Sequence, residues 1–82
     1  MKESRTEIYE AIDREREYQA LKHFEEPHSI GDFILIMRAE LSEAEAAWNK
    51  QGGKRAIEEM LQVAATAVAA MEQHGIHEEH GC

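Results

Sequence analysis

Between Met60 and Met71 the chain carries no charge, no Gly and no Pro. Ala, Leu and Met favour helix, and the run is too long for an ordinary strand. A helix over residues 58–73 is therefore expected. Being apolar on nearly every side, it has to be surrounded by protein. It is too short to cross a bilayer, which takes about 20 apolar residues. Glu59, Gln62 and Thr66 interrupt the pattern at i, i+3 and i+7, so they share one face. A polar stripe on a buried helix requires partners.

Two further helices precede it. Ser4 is placed to cap a first helix, with Glu7 three residues on closing a capping box. Ile8, Ala11, Ile12, Tyr18 and Leu21 give that helix a thin apolar stripe, and it is expected to run to about Phe24. Pro27 then breaks the pattern. Ser29 reads as the N-cap of a second helix, with Asp32 in the place of the usual Glu. Ile30, Phe33, Ile34, Met37, Leu41, Ala44 and Trp48 recur at helical spacing and form a broad apolar face. Gln51-Gly52-Gly53 ends this helix. Lys54 and Arg55 open the third, where two cations oppose the macrodipole. The spacing thus predicts an all-α chain of three helices, the second and third forming an antiparallel hairpin. Helix one is too thin to cover helix three. The remaining cover is expected from further copies, as a homodimer or homotetramer built on a bundle of helices two and three.

Composition narrows the function classes. Eighty-two residues make one small domain, expected over 1–76, with 77–82 a flexible polar tail. A net charge of −8 argues against partners rich in phosphate backbone or anionic lipid, so neither nucleic acid nor a membrane is expected. A small phosphate ligand carried with a divalent cation stays compatible with that charge. The lone cysteine, Cys82, leaves no internal disulfide, and no apolar leader is visible, so a cytoplasmic protein is expected. His77 and His80 are three apart, a weak Zn²⁺ or Ni²⁺ signal on a polar tail. His23 and His28 flank the first loop, and His28 reads as part of the second helix start. There is no Ser-His-Asp or Cys-His pattern, and Gly52-Gly53 lacks the rest of a phosphate-binding loop.

The acidic positions carry the candidate chemistry. Glu40 sits at the rim of the apolar face of helix two, and Glu43 lies about 60° further round. A hairpin brings both near Glu59 and Gln62. Carboxylates converging in a partly buried place repel one another, and a hard divalent cation with oxygen ligands relieves that repulsion. Glu40-Leu41-Ser42-Glu43 and Glu59-Met60-Leu61-Gln62 together resemble the paired acidic motifs of the MazG-like all-α nucleoside triphosphate pyrophosphohydrolase superfamily. The resemblance covers roughly residues 8–75 and is nearest to small phage and bacterial members. It extends to the charged first helix (Asp13-Arg14-Glu15-Arg16-Glu17), the His28-Ser29 helix start and the Glu59–Ala65 stretch.

The resemblance implies an oligomeric helical bundle and Mg²⁺ (or Mn²⁺) held by Glu40, Glu43, Glu59 and Gln62. It also implies cleavage of a nucleoside triphosphate to the monophosphate and pyrophosphate. Within it, Glu43 is the residue to orient the attacking water as a general base. Lys54, Arg55 and Lys22 are placed to meet phosphate oxygens, and Trp48 or Phe33 to stack on the base. Gln62 departs from the general family pattern, which has Asp there, but matches the small subfamily that the chain resembles, which has Gln at this position. A Gln carbonyl can ligate a hard cation but brings no charge, so a weakened enzyme is expected. The alternative is a catalytically inactive MazG-fold oligomer that serves as a nucleotide-binding or interaction module. A purely structural helical oligomer is the third reading. Taken without the resemblance, Trp48 reads as a core or interface residue, and Lys54 and Arg55 as exposed charges. Gln62 and Thr66 read as a hydrogen-bonded pair between helices.

Overall fold

The computed structural model describes residues 3–22 and 26–78. They form three α-helices, α1 (Arg5–Lys22), α2 (Ile30–Gln51) and α3 (Gly53–His74), with no strand among the described residues. Helix α3 is the centre of the fold. Among the described residues both α1 and α2 pack on it and not on one another. Among the described residues no helix is long and apolar enough to cross a membrane.

The helix ends follow local chemistry. Ser4 Oγ accepts the Glu7 amide at 3.2 Å, and the Ser4 amide donates to Glu7 Oε1 at 2.8 Å. Those bonds from Ser4 hold the Glu7 carboxyl below its ordinary pKa. Ser29 and Asp32 make the same reciprocal pair at the start of α2, at 3.0 and 3.4 Å. Gly52 lies between α2 and α3 and caps both, at φ +92°. Its amide donates to the Ala47 carbonyl at 3.0 Å, and its own carbonyl accepts the Ala56 amide at 3.3 Å. Helix α1 is described as far as Lys22. The expected end near Phe24, and His23 with it, fall outside the described residues.

Helix α2 packs along α3, and the buried apolar residues are Phe33, Ala44 and Ala47 of α2 and Ala56, Ala65 and Ala69 of α3. Alanines at a helix contact let the two axes come close. Phe33, 1% exposed, sits between the rings of His28 (5.5 Å) and His74 (6.0 Å, edge-on). The same corner is closed by polar bonds. The His28 amide donates to Gln73 Oε1 at 2.8 Å, and His74 Nε2 donates to the His28 carbonyl at 2.8 Å.

Two expected apolar faces come out differently. On α1, Tyr18 and Leu21 point to solvent, while Gln19 is buried and Ala11, Ile12, Glu15 and Arg16 are half-buried. The reason is the surface that α1 meets. It covers the polar stripe of α3, where a hydrogen-bonding side chain is worth more than an apolar one. On α2 the broad face is split. Phe33, Ala44 and Ala47 are buried on α3, whereas Ile30, Ile34, Leu41 and Trp48 stay exposed, Leu41 and Trp48 in a groove with Ile57 and Met60 of α3.

Candidate functional site

The polar stripe of α3 is where the three helices meet. Thr66 is fully buried and Gln19 is 4% exposed. Gln19 Nε2 donates to Thr66 Oγ1 at 3.2 Å and to the Gln62 carbonyl at 3.3 Å. Thr66 Oγ1 lies 3.1 Å from Glu40 Oε2 and 2.9 Å from the Gln62 carbonyl oxygen. Its single proton serves one of these acceptors at a time, and the carboxylate is the stronger. The expected pairing of Gln62 with Thr66 thus uses the Gln62 main chain, within α3. The partners across helices are Gln19 and Glu40. Further along, Arg16 Nε holds Glu72 Oε1 at 2.7 Å and ties α1 to the end of α3.

Towards the start of α3, Glu59 is buried and paired with Arg55. Arg55 Nη2 lies 3.1 Å from Glu59 Oε1, and Nη1 lies 2.9 Å from Glu58 Oε1. Glu58 first, then Glu59, and more weakly Glu43, raise the Arg55 pKa above its ordinary value. Glu43 and Glu59 line one shallow depression with Arg55, Lys50 and Ala47. Two of the four expected acidic-motif positions are therefore brought to one place, together with the cation Arg55. Glu40 is turned towards Thr66, one helical turn away from Glu43. Gln62 is half-buried.

The fit of this set to a divalent cation can be judged from its donors. The oxygen chemistry is right for Mg²⁺ or Mn²⁺. The arrangement within one chain is not: the Glu59 carboxylate already holds a guanidinium, and that of Glu40 a hydroxyl. Among the described residues no three His, Cys, Asp or Glu stand close enough together to hold a metal ion. As arranged in one chain, these residues hold an arginine where the family resemblance implies a metal.

The other expected ligand contacts are spread over the surface. Lys54 is exposed at the first turn of α3. The Lys22 ammonium lies 5.4 Å from the centre of the Tyr18 ring. Trp48 faces a separate groove on the other side of the α2–α3 contact, with Leu41, Ile57 and Met60. Phe33, named above as a stacking residue, is closed off in the core between two imidazoles. Of the tail, residues 79–82 lie outside the described part, and with them His80 of the expected His pair. Gln19 is the participant that sequence reasoning missed. Ile12, Arg16 and Gln19 recur at helical spacings of four and three, a stripe in which two of three members are polar. No family model, curated protein or solved structure matches the chain.

Proposed function

We propose that this chain is a MazG-like helical module that forms homo-oligomers through an antiparallel α2–α3 hairpin and binds a nucleotide or a protein partner. In this reading it has little or no turnover. The reading is supported by one observation above others: Arg55 neutralises Glu59 from within the chain, at 3.1 Å. A carboxylate so compensated has less need of a metal ion, and Gln62 contributes no charge to attract one. Arg55 and Lys50 at the rim of the depression leave donors that suit phosphate oxygens.

The second reading, a weakened Mg²⁺-dependent nucleoside triphosphate pyrophosphohydrolase, is favoured by a different observation. Glu43 and Glu59 line the same depression, as the paired motifs of that family require. In this reading Arg55 competes with the metal for Glu59.

The two readings part on one experiment. Thermal melting is followed with and without Mg²⁺ or Mn²⁺ over a panel of nucleoside triphosphates, with pyrophosphate assayed in the same samples, for the wild type and for Arg55→Gln. The module reading expects nucleotide-dependent stabilisation, no pyrophosphate, and no new metal response in Arg55→Gln. Pyrophosphate release, with metal stabilisation enhanced in Arg55→Gln, would replace it with the enzyme reading. No response to nucleotide or metal in either protein leaves protein partners as the ligand class.

A further inference from the structure

The exposed half of the α2 apolar face has an order that specifies its partner. Ile34, Arg38, Leu41, Glu45 and Trp48 follow one another in steps of four and three, the spacing of a helix–helix seam. At about 100° per residue these five positions fall on one narrow strip of the helix. All five are exposed. Four of them line a groove of about 590 Å³ whose other wall is Gly53, Ile57 and Met60 of α3. Trp48 lies close enough to Gly53 that a Cβ there would meet its ring at 3.5 Å. The strip reads apolar, positive, apolar, negative, apolar. Among the described residues neither Arg38 nor Glu45 forms an ion pair.

That order is its own complement when reversed. We infer that a second copy of this chain covers the groove, α2 against α2 in antiparallel register about a two-fold axis near Leu41. Leu41 then meets its own copy, Ile34 meets the partner's Trp48, and Arg38 meets the partner's Glu45, each within about one residue of register. Two-fold symmetry makes the ion pair twice, as an isologous contact requires. The parallel alternative sets Arg38 beside the partner's Arg38 and Glu45 beside the partner's Glu45, which charge repulsion disfavours. The partner is therefore chosen by the apolar residues and the register by the two charges. The inference rests on the homo-oligomer part of the proposed function and adds the face, the direction and the register.

Charge exchange tests it. Arg38→Glu and Glu45→Arg are made separately, their helix content checked by circular dichroism, and association measured by sedimentation equilibrium for each alone and for an equimolar mixture. Each variant alone faces like charges across the seam and is expected to dimerise roughly tenfold more weakly than wild type, or worse. In the mixture both contacts become Glu–Arg again, so a mixed dimer of near wild-type strength is expected. Two variants that each dimerise like wild type would overturn the seam while leaving an oligomer through another face. So would a mixture no tighter than its parts. A wild type that stays monomeric at all concentrations would overturn both the seam and the homo-oligomer, whatever the nucleotide experiment returns.

Discussion

The Thr66 hydroxyl joins three helices with one side chain. It accepts from Gln19 of α1, faces Glu40 of α2 and belongs to α3. Its burial is complete, so water does not substitute for a lost bond. Thr66→Val keeps the shape and removes the hydroxyl, leaving the Gln19 amide and the Glu40 carboxylate one partner fewer each. A cost of about 1–3 kcal/mol is expected, a large part of what a domain of this size has to lose. Urea denaturation measures it, and a midpoint equal to that of wild type would show that this network does not hold the helices together. At this scale the sequence was half legible. Glu59, Gln62 and Thr66 were visible as a stripe in need of partners. Gln19 was not, because a glutamine on a charged helix looks the same whether it faces water or a hydroxyl.

At the scale of the elements, chain direction is set at a few positions. Gly52 serves two helices at once with a backbone conformation, φ +92° and ψ −171°, that is nearly confined to glycine. Nothing lies within 4 Å of where its Cβ would be, so Gly52→Ala meets no clash. Its cost is backbone strain alone, about 1–3 kcal/mol. A smaller loss in thermal or urea unfolding would mean that the turn relaxes to another geometry at little expense. Lys54 and Arg55, at odds with the α3 dipole on sequence grounds, are answered in part by Glu58 and Glu59, one turn along, which pair with Arg55. The three helix starts and the α2–α3 turn were legible because capping and turn chemistry act over three or four residues. The packing face of α1 was not, because that face is chosen by the helix it meets.

At the scale of the molecule, the decisive fact is which side of α3 each neighbour takes. Helix α1 covers the polar stripe and leaves open the side shared by Ile57 and Met60 with Leu41 and Trp48. This apolar surface is the one that the proposed second copy would cover. Trp48 reports on it, being the only tryptophan of the chain and 62% exposed. As protein concentration rises, Trp48 emission is expected to shift to the blue and the melting temperature to increase, because assembly stabilises by mass action. Emission and melting temperature constant over a hundredfold range of concentration would contradict this.

Hydrophobic spacing, capping residues and turn glycines determined on their own that the described chain is three helices and roughly where each begins. They act locally, so the sequence contains them in full. The turn of Glu40 towards Thr66, the burial of Gln19 and the exposure of Trp48 were decided only by the tertiary structure. Each depends on which face of one helix is offered to another. That choice is made by long-range packing, which weighs all the faces against one another at once.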